Sequence, residues 1–289
     1  MRRLVRSNWT LSFSDLLVLG LLFLLILESG SPPIRAATVP TLDSPTGSAA
    51  AVATTSPISV TITTSNTNDL VLAVVAGPSG TTIGTPTGSP TALTFTNRCT
   101  VDGGTNQGKI EEFYAVSTGT LSSETISATF STEATLVVFA VSNDDIAHPF
   151  DPGLSSCIGS TGSGSSASVT LLTTGTGDMI IGSISVSGTS PGYTVGSTFT
   201  DIKSALCPSC TPVAAVVDAE YKTSTVAASQ AVTYGISGTG LIWSFLADAL
   251  VSASGIPELP YGLIPFVLAV PIIYYLIRTQ TRPRVPGAR

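Results

Sequence analysis

Between residues 57 and 251 the sequence repeats one pattern, in which apolar side chains alternate with Ser and Thr in short runs that end at Gly-rich turns. Residues 58–62 place Ile, Val and Ile at every second position, which is the period of a β-strand with one buried face. Residues 69–76 are almost continuously apolar, as expected of a strand that is covered on both faces. The pattern therefore predicts an all-β domain.

We predict twelve strands in this region. The last is the hardest to distinguish from a helix, but Leu241, Trp243 and Phe245 alternate and follow a Gly-Thr-Gly turn signal, which favours a strand. A stretch rich in Gly and Ser at 159–166 is interpreted as a loop between two groups of six. The predicted strands are 58–62, 69–76, 92–99, 109–117, 124–131, 134–142, 167–172, 178–186, 199–206, 213–223, 230–237 and 240–251.

The two groups of strands have similar sequences. Residues 59–72 align with residues 168–181 at an offset of 109, and Glu112-Phe-Tyr aligns with Glu220-Tyr-Lys at an offset of 108. A repeat of this length predicts two similar half-units, 57–146 and 167–251, within an ectodomain of residues 57–253. They fit two small immunoglobulin-like sandwiches or the two halves of one jelly-roll, and we favour a jelly-roll-like β-sandwich. The order of the strands is similar to that of β-sandwich modules in bacterial and archaeal surface proteins, where such a region is one domain.

The charge of this region is strongly one-sided. Only 10% of the chain is charged, and residues 38–255 contain fifteen acidic residues but four basic ones, a formal charge of −11. A surface of that charge repels phosphate backbones, so we expect no nucleic acid among the partners. We expect instead an acidic outer face that attracts cations or keeps the protein soluble.

The N-terminus has the features of an export signal. Arg2, Arg3 and Arg6 precede an apolar run at 16–27, whose twelve residues match a signal-peptide core and are few for a membrane span. Residues 1–37 are therefore interpreted as a signal peptide, with an uncleaved signal anchor as the alternative. Residues 38–56 are rich in Pro, Ser, Thr and Ala, and they predict a flexible stalk.

A second apolar segment lies near the C-terminus. Residues 261–277 carry no charge, and in a helix they would span about 25 Å, near the lower limit for crossing a bilayer. Four arginines follow, and the positive-inside rule then places the tail in the cytoplasm and the bulk of the chain outside. We therefore expect a transmembrane helix and the membrane as a partner. The arginines are Arg278, Arg282, Arg284 and Arg289.

A short motif, Pro257-Glu258-Leu259, stands before this segment. The order of the motif, an apolar span and an Arg-rich end resembles the C-terminal sorting signals of the PEP-CTERM type, most closely their archaeal variants. The resemblance covers about residues 254–289, and the best-known version of the motif is Pro-Glu-Pro. It implies recognition by an exosortase- or archaeosortase-type transpeptidase, with processing at the Pro-Glu motif and a lipid-linked product.

Four cysteines, Cys99, Cys157, Cys207 and Cys210, lie in the exported region. An even number outside the cytoplasm favours disulfides, and of the three possible pairings we favour Cys99–Cys157 with Cys207–Cys210. The Cys-Pro-Ser-Cys spacing also matches a redox motif. Such a motif opens a helix in a βαβ unit, however, whereas this one lies in a turn between predicted strands.

Several carboxylates are candidate ligands for a cation. Asp144, Asp145 and Asp151 crowd one loop and could hold calcium, since this cation prefers oxygen ligands. Their spacing is not that of an EF-hand, and solvated loop acids are the plainer interpretation. Asp69 and Asp178 occupy matching places in the two halves and are interpreted as turn residues before strands. No other cofactor is expected.

Two patterns suggest catalysis. Gly188-Thr-Ser190-Pro-Gly192 matches Gly-x-Ser-x-Gly, but a proline and a predicted strand follow the serine, and the one histidine, His148, precedes it. Glu111-Glu112 and Asp218 with Glu220 are candidate acid pairs for glycoside hydrolysis, but aromatic residues, which form sugar platforms, make up only 7% of the chain. We therefore expect no catalytic residue.

The order of export signal, stalk, β-sandwich and anchor predicts a membrane-anchored cell-surface protein. We expect it to bind, to adhere or to form part of a cell coat, without enzymatic activity. An extracellular glycan or another surface protein is the expected partner. The alternative is a surface glycan hydrolase of the jelly-roll type.

Overall fold

The computed structural model describes residues 38–43, 47–104, 108–208, 210 and 214–252, which belong to one compact unit. These residues form fifteen strands and no helix, so the predicted all-β class is confirmed. Within the same ranges there is accordingly no helix of the length and apolarity that crossing a membrane requires. The predicted signal peptide, the Pro-Glu motif and the apolar C-terminal segment lie outside the described residues.

The strands form three antiparallel sheets. They are β1 Thr41–Leu42, β2 Ser48–Ala53, β3 Ile58–Ile62, β4 Asp69–Pro78, β5 Thr87–Ser89, β6 Thr96–Asp102, β7 Gly108–Ser117, β8 Glu124–Ala128, β9 Ala134–Ser142, β10 Ile158–Ser163, β11 Ser166–Leu172, β12 Met179–Thr194, β13 Thr200–Cys207, β14 Ala214–Thr223 and β15 Ser229–Leu250. One six-stranded sheet has the order β1-β9-β4-β7-β6, with β2 also on β9, and the other has the order β10-β15-β12-β14-β13, with β11 also on β15. A three-stranded sheet has the order β3-β8-β5.

Three apolar cores separate the layers. The first lies between the three-stranded sheet and the first six-stranded sheet, and includes Ile126 and Phe113. The second lies between the two six-stranded sheets and includes Leu72 and Leu246. The third lies on the far face of the second six-stranded sheet and includes Val169 of β11. Strands β4 and β9 lie between two cores and are buried on both faces, which explains their continuous apolar sequences.

The two six-stranded sheets have the same strand order. Strands β2, β9, β4, β7 and β6 of the first correspond to β10, β15, β12, β14 and β13 of the second. The pairs Leu70↔Val141 and Met179↔Leu250 place the central strands at an offset of 109. Pairing across β7 and β14 sets their offset at 107.

This register corrects one part of the sequence alignment. At the offset of 107, Glu112 is equivalent to Ala219, and Phe113 is equivalent to Glu220. A slip of one residue moves a strand side chain to the opposite face of its sheet. Glu112 accordingly lies between the two six-stranded sheets beside Asp248, whereas Glu220 lies on the other face of its sheet, on the side of the third core.

The second half builds its outer layer from the ends of its own long strands. Strand β15 runs for 22 residues and pairs with β11 along its first part, with β10 along its second part and with β12 along both. It bends at Gly238 and Gly240, which have φ angles of 124° and 62°. A Cβ at Gly238 would approach the Thr189 carbonyl oxygen to 2.8 Å, so the bend requires glycine. In the first half, a loop separates the equivalent strands β8 and β9.

Four segments that the sequence assigns to connections are strands, namely β1, β2, β5 and β10. Residues 48–53, within the predicted stalk, form β2 and pair with β9, and Asp43 before them is buried. Residues 158–163, which overlap the predicted Gly/Ser loop, form β10 and pair with the second part of β15. Strands β2 and β10 consist mainly of small residues and lack a strong apolar alternation, so their pairing with a neighbouring strand decides their structure.

Candidate functional site

The acidic residues lie mainly inside the protein. Of the fifteen between residues 38 and 255, twelve are buried, and the other three are Asp102, Asp145 and Asp201. The expected acidic outer face is therefore wrong. The exposed positions of strands β3 and β11 carry mainly Ser and Thr, which give the surface hydroxyl groups in place of charge.

A salt bridge between Arg98 and Asp248 joins the two six-stranded sheets. Arg98 lies at a register shift in edge strand β6, and such a bulge re-aims a side chain. Its Nε and Nη2 donate to the two oxygens of Asp248 at 2.6 and 3.2 Å. The guanidinium also donates to the carbonyl oxygens of Leu154 and Ser155 and lies 4.0 Å from the ring centroid of Phe150.

Glu112 completes this cluster. Its side chain is fully buried, and neither carboxylate oxygen has a hydrogen-bond partner. Burial, and then repulsion by Asp248, raise the pKa of Glu112 well above its ordinary value, although Arg98 opposes this effect. Glu112 is therefore a neutral acid beside an ion pair, and the cluster of Arg98, Glu112 and Asp248 carries no net charge.

The interior of the second half holds two further acids, Asp218 and Glu220. The backbone N–H of Gly196 donates to Glu220 Oε2 at 2.8 Å, whereas Glu220 Oε1 and both oxygens of Asp218 have no partner. Burial raises the pKa of Asp218 to about 9 and that of Glu220 to about 8, and repulsion by Asp201 acts in the same direction. These are neutral acids at neutral pH.

The second acid pair is enclosed. Asp218 and Glu220 are both 0% exposed. The nearby phenol groups are also kept neutral by burial, which raises the pKa of Tyr193 to about 12 and that of Tyr234 well above its ordinary value. A glycosidase needs both carboxyls in contact with the sugar. This arrangement therefore gives a substrate no access to either group.

An aspartate pair precedes β4. Asp43 accepts the backbone N–H groups of Ser65 and Asn66 at 2.7 and 3.0 Å. The Asp69 carboxyl lies against Asp43. The nearby Thr64 hydroxyl donates to the carbonyl oxygen of Asn66, so neither Asp69 oxygen has a donor. Burial raises the pKa of Asp69 to about 6, and the charge of Asp43 adds to this effect.

A similar pair precedes β12. Asp151 accepts the backbone N–H and the hydroxyl of Thr174 at 2.6 and 2.8 Å and the N–H of Gly153 at 2.7 Å. Burial opposes ionisation of Asp151, but these donors outweigh it and hold its pKa below the ordinary value. Burial, and then the neighbouring Asp151, raise the pKa of Asp178 to about 6. In each half, a buried aspartate that accepts backbone N–H groups thus lies beside a second buried aspartate whose pKa is raised.

The structure does not bring the three candidate calcium ligands together. Asp144 lies near Asp69, Asp145 lies 3.9 Å from His148, and Asp151 belongs to the pair with Asp178. The backbone between Asp144 and Asp151 pairs with the end of β15, which spreads the loop. Among the residues that the structure describes, no three Asp, Glu, His or Cys side chains are placed to hold a metal ion.

Both disulfides are present in the pairing that the sequence favours. Cys99–Cys157 links β6 of the first half to the segment that begins the second half, across a sequence separation of 58. Cys207–Cys210 closes a short turn at the end of β13. Two disulfides indicate an oxidising environment of the extracellular type.

A groove of about 440 Å³ lies beside Cys99–Cys157, between the edge strands β6 and β10. Besides the disulfide, Val101 and Gly159, the groove is lined by the polar residues Thr100, Asp102, Ser156, Ser160 and Thr161. The side chains of Thr100 and Thr161 are exposed to solvent. The groove can therefore take a hydroxylated ligand by hydrogen bonding.

The serine pattern is a bend in a strand. Ser190 has a φ of 49° and lies where β12 shifts register against β15. The chain continues as strand, whereas a nucleophile elbow needs a helix after the serine. His148 lies in the loop after β9 with its side chain 87% exposed. The sorting-motif residues Pro257, Glu258 and Leu259 lie outside the described residues.

The sequence patterns described above do not point to Asp43 or Arg98. A signal for each exists. Asp43 and Asp151 are separated by 108 residues, close to the repeat offset, and Arg98 is the one arginine between residues 38 and 252. A lone arginine in a charge-poor, acid-rich domain favours a buried ion pair.

Comparison with protein-family models, with curated proteins and with solved structures finds no match for the chain.

Proposed function

We propose that the chain is a membrane-anchored cell-surface protein that binds an extracellular hydroxylated ligand, such as a glycan, in the groove between β6 and β10. The groove is the observation that carries this proposal. It is exposed and polar, and it lies between the edges of the two six-stranded sheets, which Cys99–Cys157 holds together. Holding the two walls in place before binding lowers the entropy cost of binding.

The proposed binding surface consists mainly of hydroxyl groups, and not of the acidic face that the sequence predicts. A neutral glycan offers both donors and acceptors, and Ser and Thr hydroxyls serve as either. Asp102 adds one acceptor at the edge of the groove. The proposal includes no catalytic step, because the buried acids of the protein lie in its cores.

The proposed anchor follows shortly after the ectodomain. Val39 and Ser252 lie within 4 Å of the same point beside Gly177, so the described chain begins and ends at one edge of the unit. Eight residues separate Ser252 from the apolar segment at 261–277, a reach of about 30 Å at most. We propose that this segment spans the membrane and that Pro257-Glu258-Leu259 is read by a sorting transpeptidase.

The proposed fold is a duplicated sandwich. The common strand order of the two six-stranded sheets and their face-to-face packing favour two stacked copies of one unit over a single jelly-roll. Each copy has one large sheet and one small outer layer. Stacking the large sheets buries the face that a single copy would leave apolar and exposed.

A glycan array probed with the full chain in detergent tests the binding proposal. We expect a defined set of neutral glycans to bind, and Thr100→Lys to abolish the signal by filling the groove. The matched control is Thr61→Lys, which adds the same charge on the exposed face of β3 and leaves binding unchanged. Equal loss in both variants, or no bound glycan, would overturn the groove as the binding site.

The rival function is glycan hydrolysis, and it has a separate readout. Release of reducing ends from a polysaccharide, abolished by Glu112→Gln or Glu220→Gln, would replace the binding proposal by the enzymatic one.

Self-assembly of the chain into sheets without a ligand would favour a coat subunit. The intact mass of the mature protein tests anchoring, because sorting predicts a chain that ends near Pro257 with an added lipid, whereas a plain tether runs to Arg289.

A further inference from the structure

The charges of the described interior do not balance. Twelve acidic residues are buried. Arg98 pairs with Asp248, Lys109 pairs with Glu111, and Glu133 is also partnered. Leaving a buried carboxylate ionised and unpaired costs several kcal/mol. Most of the remaining carboxyls therefore need another means of neutralisation.

Unpartnered oxygens identify the groups concerned. Seven buried carboxyl groups have at least one oxygen without a hydrogen-bond donor, and four of them have none on either oxygen. Native proteins leave few such atoms, because an unsatisfied buried acceptor is costly. The four groups are Asp69, Glu112, Asp144 and Asp218, and the three with one such oxygen are Glu124, Asp178 and Glu220.

The neighbours of these groups are mostly other acids. Asp69 faces Asp43, Asp144 and the Thr64 hydroxyl, and Asp144 also faces Asp145. Asp178 faces Asp151 and the backbone at Gly175 and Ser252. None of these neighbours is a cation.

The second interior follows the same rule. Asp218 faces Asp201 and the phenols Tyr193 and Tyr234. Glu220 faces Asp201, the Gly196 N–H and Lys222, whose ammonium group lies over the Phe199 ring instead of bonding a carboxylate. A lone lysine cannot neutralise all three acids of this cluster.

A metal ion is the other way to neutralise buried acids. Calcium takes six to eight oxygen ligands, and within the described ranges no three acidic side chains converge on one point. A proton needs only two facing oxygens, which the Asp43–Asp69 and Asp151–Asp178 pairs supply. In both pairs a carboxylate that accepts backbone N–H groups faces a second buried carboxyl group. This geometry suits a proton held between the two.

We propose that the ectodomain is built for acidic surroundings, with one shared proton in each of the Asp43–Asp69 and Asp151–Asp178 pairs and with Asp144, Asp218 and Glu220 held as neutral acids. The hydroxyl-rich exterior fits the same setting. Surface carboxylates lose their charge in acid and stop contributing to solubility, whereas Ser and Thr stay hydrated at any pH.

The direction of the pH dependence follows from proton linkage. Burial raises the pKa of Asp69 and Asp178 to about 6, of Asp144 to about 7, of Glu220 to about 8 and of Asp218 to about 9. Between about pH 4 and pH 9 the folded chain then binds more protons than the unfolded chain, so stability falls as the pH rises. Asp102 and Asp151, with lowered pKa values, oppose this only at lower pH.

Thermal unfolding of the full chain in detergent, followed by circular dichroism from pH 3 to pH 9, tests the proposal. We expect the melting temperature to be highest near about pH 4 and to fall by at least about 10 °C by pH 8. Asp69→Asn, Asp178→Asn and Asp218→Asn should each flatten this slope, because an amide is neutral at every pH. Asp102→Asn, at an exposed carboxyl whose lowered pKa acts only at lower pH, should keep the slope of the natural chain between pH 4 and pH 8.

Two further measurements distinguish a bound proton from a bound cation. Infrared spectroscopy at pH 6 should detect protonated carboxyl groups that disappear in stages as the pH rises, a readout that does not depend on how stable a variant is. A melting temperature that is flat or rises from pH 4 to pH 8 would overturn the proposal. So would a rise on adding calcium at pH 7.5 that Asp69→Asn abolishes, because a cation would then occupy the pair.

Discussion

The space between the two large sheets holds two equivalent sets of three positions, and opposite kinds of residue fill them. One set is the ionic cluster of Arg98, Glu112 and Asp248. The strand register places Ile202, Ala219 and Phe139 at the equivalent positions, all in the apolar core between the sheets. Even the bulge is repeated, since β6 shifts register around Arg98 and β13 around Ile202.

This difference shows which features of the backbone form without the ionic side chains and which contacts the ionic side chains add. The bulge and the sheet stacking are present with either set, so neither depends on the salt bridge. Buried ion pairs are often no more stabilising than apolar residues of similar volume. The ionic set also carries contacts that the apolar set lacks, since Arg98 bonds the Leu154 and Ser155 carbonyls and so fixes the segment between the halves.

The largest effect is expected from breaking the ionic cluster. Arg98→Ala leaves Asp248 buried beside Glu112 without a cation, and should lower the free energy of unfolding by up to about 5 kcal/mol. Chemical denaturation of the full chain measures this. The matched control copies the equivalent apolar set, with Arg98→Ile, Glu112→Ala and Asp248→Phe together. If the two sets are interchangeable at these positions, the triple variant stays close to the natural chain, and a loss as large as that of Arg98→Ala would contradict the comparison.

The two disulfides should differ in their contribution. Replacing Cys99 and Cys157 by serine frees a loop with a sequence separation of 58. The added entropy of the unfolded chain should lower the free energy of unfolding by about 4 kcal/mol. Replacing Cys207 and Cys210 opens a loop with a separation of only 3, which should cost about half as much. Denaturation of both double variants gives the order. A larger loss at the short loop would mean that the link between the halves adds little.

The first and third apolar cores also differ at one matched position, Phe113 against Glu220. Glu220→Leu should stabilise the chain by about 1–3 kcal/mol at pH 8, because it removes an unpartnered acid, and should change little at pH 5 where the acid is neutral. Melting curves at the two pH values measure the difference. Equal effects at both would show that Glu220 does not change charge in this range.

The smallest effects are expected on the outer faces. Ser59 bonds Ser127 across β3 and β8 at 2.7 Å, with both hydroxyls in contact with solvent. Ser59→Ala and its counterpart Ser168→Ala should each change stability by no more than about 0.5 kcal/mol. A larger loss at either site, seen in the same denaturation assay, would indicate that the outer face is covered by a partner.

The sequence predicts the strands of this protein well because burial leaves a period of two. Eleven of the predicted strands begin within a few residues of an observed one, and the prediction of two strands at 230–237 and 240–251 differs only because β15 bends without breaking. The sequence does not predict β1, β2, β5 and β10, of which β1 and β5 are only two and three residues long. Strands β2 and β10 are missed since Ala, Gly and Ser carry little strand preference. Their structure depends on pairing with β9 and β15, which local sequence does not record.

The acids were the harder problem. Asp218 and Glu220 alternate with Val217 and Ala219, a pattern that suggests a solvated face opposite an apolar one. Both faces of β14 are covered in the structure, so the polar residues are enclosed as well. The alignment error of one residue between Glu112 and Glu220 has the same origin, because a local sequence match does not reveal which face a strand turns to its core.

The closeness of Val39 and Ser252 has a consequence for engineering. A unit whose two ends meet can be placed inside a surface loop of an unrelated carrier without forcing that loop apart. The same closeness allows the ends to be joined by a short linker and new ends to be opened at the loop between β8 and β9. This all-β unit is thus a portable module, and grafting it would present the β6–β10 groove on a scaffold that needs no membrane.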